Sequence, residues 1–179
     1  MIYTSATSEK SAAMRVAELM TAAARTAPKA RGIDVIETLI LDGEDKDKLT
    51  AAMKDPDTAK GRAFFLRDAK NVDASHLIVL IGADVSPRGL NCGLCGVKTC
   101  TAAQTDGISC AIAASDLGIA CGSAAALAMD HRIDNRMLFS AGMAALQLKL
   151  FPDKVKICFG IPLATTGKNI FFDRPADPK

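Results

Sequence analysis

Four cysteines, Cys92, Cys95, Cys100 and Cys110, fall within nineteen residues of the string NCGLCGVKTCTAAQTDGISC, spaced C-x2-C-x4-C-x9-C. Thiolates are soft, strong donors, and four at this density can hold an iron–sulfur cluster or a zinc ion. Gly93 and Gly96 flank the second cysteine and can take positive φ without steric cost. That freedom lets the backbone curl around a cluster and turn N–H groups onto its sulfurs, which tunes its potential. Lys98 lies in the same loop and would stabilise the more negative, reduced state. Zinc ribbons present two C-x2-C knuckles, whereas this string has one, which favours iron–sulfur over zinc. The spacing also differs from the common ferredoxin runs, and no proline follows the last cysteine. Cys110 is read as the fourth ligand; Cys121 replaces it only if the following helix starts elsewhere. Cys121 and Cys158 otherwise read as small core residues in apolar surroundings.

The elements that must carry this loop follow from periodicity and breakers. Residues 9–26, rich in Ala, Met and Leu, predict a helix with a cap near Ser8, stopped by Pro28 and Gly32. Residues 33–41 (IDVIETLIL) predict a strand. DGEDKDKLTAAMKDP predicts a short helix ended by Pro56, and AFFLRDAKNVDAS another. HLIVLIGAD, residues 76–84, is a continuous apolar run bounded by turn residues, the pattern of a strand buried on both faces. Residues 84–110 predict a long functional loop. Residues 110–130 predict an Ala-rich helix, apolar on nearly every face and so central and buried. A short strand over 137–140 and a helix from Ala141 follow, then a strand over 154–163 and an extended tail whose Ile170, Phe171 and Phe172 must pack on something. The interleaving of strands and helices gives an α/β or α+β domain, and nothing divides residues 1–179 into more than one.

Composition narrows the function. The chain has 179 residues, 49% hydrophobic and 23% charged, with a net charge of +2. That balance offers no reason to expect nucleic acid or an anionic membrane as partner. No apolar run reaches membrane-spanning length before Asp, Gly or His interrupts it, and no signal-peptide pattern opens the chain. The cytoplasm is the expected compartment, where clustered cysteines argue for metal or redox chemistry rather than disulfides. His76 and His131 read as structural or exposed, and Gly118–Ser123 as small residues for helix packing rather than a phosphate loop.

C92-G-L-C95-G-x-x-x-C100 with the later Cys110 resembles the small iron–sulfur domain of corrinoid iron–sulfur proteins and of ferredoxin subunits of redox complexes. With AARTAPKARGID, FFLRDAKNVD, DLGIACGSAAALAMD, DNRMLFSAG and GIPLATTGKNIFFDR, the chain resembles a bacterial and archaeal family of uncharacterised ferredoxin domain-containing proteins over residues 10–175. That family is in turn similar to the FMN-dependent nitroreductases. The resemblance implies an α+β fold with an antiparallel or mixed sheet flanked by helices, the cysteine loop inserted at 84–110, and an obligate homodimer with FMN at the interface. It implies that Pro28, Lys29 and Arg31 line the flavin, and that Lys168 and Arg174 of the tail contact its phosphate. Two departures stand in the sequence: residues 1–13 lack the Arg-rich phosphate motif, and the A-P-S-x-x-N-x-Q loop has become A-P-K-A-R-G. The expectation is a redox protein with a [4Fe–4S] cluster and FMN passing electrons to a small acceptor. The alternatives are a ferredoxin-like carrier docking on a redox partner protein and a zinc-stabilised binding module.

Overall fold

The structure, a computed structural model, describes residues 1–172. Helix α1 (Ser5–Thr26) begins a turn earlier than its apolar periodicity suggests, because Thr4 caps it by accepting from the Thr7 N–H at 3.3 Å. A 3-10 turn at Ala30–Gly32 leads to strand β1 (Ile36–Leu41), three residues shorter than the alternation predicts. Helices α2 (Gly43–Lys54), α3 (Pro56–Ala59) and α4 (Phe64–Asp73) follow, with Pro56 opening α3, where a missing N–H costs nothing. Then come strand β2 (Leu77–Asp84), helices α5 (Cys100–Thr105) and α6 (Ala111–Asp130), strand β3 (Asp134–Asn135), helix α7 (Phe139–Gln147) and strand β4 (Val155–Ala164).

The strands form an antiparallel sheet in the order β1-β2-β4-β3, so β2 lies inside it, paired on both edges. Helices cover both faces. Leu77, Val79, Ile81 and Ala83 point toward α1 and α6, while Ile78 and Leu80 point toward α2, α4 and α7. Strand side chains alternate faces, so a strand covered on both sides must be apolar at every position. The architecture is the α+β, helix-flanked antiparallel sheet that the sequence implies.

Helix α7 lies against β4 with almost no gap. A Cβ built on Gly142 would stand 1.7 Å from the Cys158 carbonyl oxygen, and one on Gly160 would stand 2.7 Å from the Ala141 Cβ. Only glycine allows these backbones to approach so closely.

Three expectations change. The strand expected over 137–140 is a single bridge at Leu138 to Gly160, and the chain turns helical at Phe139. Helix α6 is not buried all round: it packs on α1 and β2, while Gly118, Ile119, Gly122 and Met129 face outward. By length and composition alone α6 could pass for a membrane span, and 39% of its apolar stretch is buried inside the protein. The loop from Asp84 to Cys110 also contains a helix, α5, which nothing in the Thr- and Gln-containing string announced. Of the tail, Phe171 packs as expected: it is buried and its carbonyl accepts from the Arg136 guanidinium at 3.0 Å, while Phe172 stays exposed beneath that guanidinium and residues 173–179 lie outside the described residues.

Candidate functional site

The loop that leaves β2 returns to its own base. The Cys110 N–H donates to the Val85 carbonyl at 2.8 Å, so the last cysteine sits beside the residue after β2. Two left-handed glycines shape the part between: Gly93 at φ 74° and Gly96 at φ 82°, with the Gly96 N–H donating to the Gly93 carbonyl at 2.9 Å. Asn91, itself at φ 47°, holds Cys100 from both sides. Its side-chain oxygen accepts the Cys100 N–H at 2.7 Å, and its own N–H donates to the Cys100 sulfur at 3.3 Å. Thr99 caps α5 through the Ala102 N–H, which places Cys100 at the first helical position.

These constraints bring Cys92, Cys95, Cys100 and Cys110 onto the wall of one cavity, together with Arg88, Asn91 and the apolar Leu90, Val97, Ala103 and Ile112. Cys110 is 6% exposed and immediately precedes α6. The first turn of α6 has no side-chain cap, and its Ala111 and Ile112 face the same cavity. Helix N-terminal N–H groups and the helix dipole favour negative charge there. Among the described residues, no three His, Cys, Asp or Glu side chains converge closely enough to hold a single metal ion.

Cys121 does not share this cavity. It lies eleven residues further along α6, roughly 16 Å at the helical rise, inside the core that α1 and α6 build on one face of the sheet. Burial pushes its thiol up to about 12. Cys158, on β4, is pushed to about 12 by burial first and the neighbouring Cys121 second. Neither supplies a thiolate at neutral pH.

The basic residues of the loop after α1 are engaged within the protein. The Lys29 ammonium donates to the carbonyls of Ala24, Arg25 and Ala27 at 3.2, 2.6 and 2.8 Å, closing the C-terminal end of α1. The Ala30 N–H donates to both carboxylate oxygens of Asp116 on α6, at 3.1 and 3.2 Å. Arg31, at φ 58°, reaches the cysteine loop and donates to the Arg88 carbonyl at 2.8 Å. Pro28, Lys29, Arg31 and Lys168 do not line the cysteine cavity. Lys168 lies exposed beyond β4, its carbonyl accepting from the Thr166 hydroxyl, and Arg174 lies outside the described residues. His76 shares a 2.6 Å hydrogen bond with Thr165, a structural role.

One residue was missed in the sequence. The cation on the cavity wall is Arg88, whereas Lys98 is exposed and lies off it. Arg88 is buried; its two terminal nitrogens donate to the Ser86 and Asp84 carbonyls at 2.8 and 2.7 Å. The one available hint was its place in V-S-P-R-G at the foot of the loop. Beside it, burial raises the Asp84 carboxyl, but the Ser86 hydroxyl and N–H, then the Arg88 and Lys154 charges, hold it below its ordinary value overall.

Residues 106–174 match the family model described as "Uncharacterized protein containing a ferredoxin domain". An uncharacterized protein of the archaeon Archaeoglobus fulgidus is 37% identical over 175 residues, covering 92% of this chain and 94% of that protein. Among solved structures, a nitroreductase from Lactococcus lactis in complex with nicotinic acid superposes with a TM-score of 0.62 at 16% identity, over 93% of this chain and 82% of its own. A nitroreductase with bound FMN from Desulfitobacterium hafniense gives 0.58 at 13% identity, over 86% and 78%. At these identities the likeness is one of fold: the chain has the nitroreductase-like α+β fold.

Proposed function

The chain belongs to the family of uncharacterized proteins containing a ferredoxin domain, and from that membership and its cysteine cavity we propose a redox protein with a [4Fe–4S] cluster on Cys92, Cys95, Cys100 and Cys110. The observation that carries this is the shared cavity of the four thiols. A bound cluster would supply one-electron transfer. The protein's own part is to hold it. Gly93 and Gly96 bend the backbone around the cavity, and the Asn91 N–H donates to the Cys100 sulfur. The α6 N-terminus and Arg88 supply positive potential, and Leu90, Val97 and Ile112 limit water. We read the chain as one domain with residues 84–110 inserted after β2.

FMN enters the proposal through the fold alone, because a structural neighbour is described with bound FMN. The Lys29 and Arg31 cations are already engaged internally. We therefore propose flavin at a homodimer interface, with the partner copy completing the site. The outward face of α6 suits such a dimer. Gly118 and Gly122 have open space where a Cβ would stand, and Ile119 and Met129 are about half exposed. Small residues on a helix let a second backbone come close. The proposed compartment is the cytoplasm, where the four thiols stay reduced.

A second reading is an electron carrier without its own substrate. Leu94 is 66% exposed and Leu90 46%, beside the cysteines, and such an apolar rim suits transient docking of a redox protein. Purification without oxygen tests both. About four iron and four sulfide per chain with a broad visible absorbance support the cluster. Releasable yellow flavin in addition supports the flavin-containing reading, and its absence supports the carrier. A colourless protein holding zinc overturns the cluster.

A further inference from the structure

We propose that Arg88 sets the reduction potential of the centre held by the four cysteines, acting as its fixed counter-charge and as a hydrogen-bond donor to its sulfur. The proposal rests on the cluster reading above.

Arg88 is 5% exposed and lines the cysteine cavity. Its terminal nitrogens are fixed to the Ser86 and Asp84 carbonyls. Its Nε is buried and finds no hydrogen-bond acceptor among the described residues. None of the ion pairs among those residues includes it. The Asp84 carboxylate feels its charge but takes its hydrogen bonds from Ser86, from the N–H at 2.8 Å and the hydroxyl at 2.6 Å. A guanidinium withdrawn from water with a donor unplaced and no paired anion is out of balance within the protein alone. An anionic cluster on the four thiolates supplies what is missing, the negative charge and the acceptor. Reduction adds one negative charge to that cluster. A fixed cation and an N–H donor therefore stabilise the reduced form more than the oxidised one and raise the potential.

The bland alternative is that Arg88 only staples the foot of the loop. The full chain, reconstituted anaerobically with iron and sulfide, separates the two through Arg88→Gln and Arg88→Lys. Redox titration is followed by visible absorbance and electron paramagnetic resonance, beside thermal melting of the same proteins. At the potential that half-reduces the wild type, Arg88→Gln should show a reduced-to-oxidised ratio about tenfold lower, a midpoint about 59 mV more negative for one electron. Arg88→Lys keeps the charge and loses the Nε donor, so its midpoint should fall between. Lower melting temperatures with unmoved potentials would leave Arg88 a staple and overturn the proposal. If the Gln variant holds no cluster, the Lys variant decides alone: a more negative midpoint supports the proposal and an unchanged one overturns it. A wild-type chain that takes up no iron and sulfide overturns the cluster reading and this proposal with it. A wild-type cluster with unaltered variant potentials overturns the role of Arg88 only.

Discussion

The Arg31 guanidinium donates to the backbone carbonyl of Arg88 at 2.8 Å, joining the loop after α1 to the foot of the cysteine loop. Hydrogen bonds from charged donors contribute roughly 1.5–3 kcal/mol. Arg31→Ala keeps the cost of the left-handed backbone but loses this bond. It should therefore lower the melting temperature of the cluster-free protein by about 3–6 °C, taking the lower end of that range. An unchanged melting temperature would show that the two loops are not coupled through this contact.

The fourth ligand is decided by paired substitutions. Cys110→Ala should abolish the visible absorbance and most of the iron, as Cys95→Ser should, since a cluster with three thiolates is poorly held. Cys121→Ala should leave iron content and spectrum close to wild type, because that sulfur lies in the core between α6 and the rest of the fold, off the cysteine cavity. Retention of iron by Cys110→Ala and its loss in Cys121→Ala would reverse the assignment.

Alkylation offers an independent reading of the same division. With their thiols pushed up to about 12, Cys121 and Cys158 are thiolate in only about one molecule in ten thousand at pH 8. In the native cluster-free protein, iodoacetamide should modify the exposed Cys92 and spare both of these until urea unfolds the chain. Mass spectrometry of the digested product checks this. Early modification of Cys121 would contradict its burial.

Gly142→Ala tests the tight approach of α7 to β4. The added methyl would meet the Cys158 carbonyl, which belongs to β4 and has little room to move. Overpacking costs about 1–3 kcal/mol, and a clash with strand backbone belongs at or above the top of that range. Gly93→Ala meets no neighbour and carries only the left-handed penalty at φ 74°, about 1 kcal/mol. Urea unfolding of the cluster-free proteins should rank Gly142→Ala well below Gly93→Ala; equal midpoints would speak against this packing.

Asp84 gives the pH dependence. Its carboxyl is held below its ordinary value in the folded chain, so the folded state binds fewer protons there than the unfolded one in the acidic range. Its contribution to stability is complete above about pH 4, the unfolded value, and is lost as the pH falls through the lower folded value. The stability gap between wild type and Asp84→Asn should be full at pH 6 and should shrink as the pH drops below about 4. A gap that stays constant down to acid unfolding would refute the linkage.

That Cys92, Cys95, Cys100 and Cys110 gather at one cavity was legible because close spacing is a local property: C-x2-C-x4-C-x9-C with Gly93 and Gly96 states both the thiols and the bends of the loop that carries them. The strand β2 was legible for a similar reason, since cover on both faces writes itself as an unbroken apolar run. Helix α6 could not be read as well. A helix apolar all round does not say which face the rest of the chain will cover, and here α1 and the sheet take one side only. Lys98 and Arg88 make the same point at the site. Both lie within a few residues of a cysteine, but sequence distance carries no side-chain direction, and the Ser86 and Asp84 carbonyls hold Arg88 at the cavity. Lys29 and Arg31 were read from a resemblance as lining a flavin; the tertiary structure adds that their cations also meet the carbonyls ending α1 and the Arg88 carbonyl, the latter 57 residues away. Residue types and spacing determined that four thiols gather in one loop and which segments form most of the helices and strands around it. Which charges face the cavity, and which are consumed by carbonyls and carboxylates far along the chain, only the tertiary structure decided, because those contacts arise when distant segments pack.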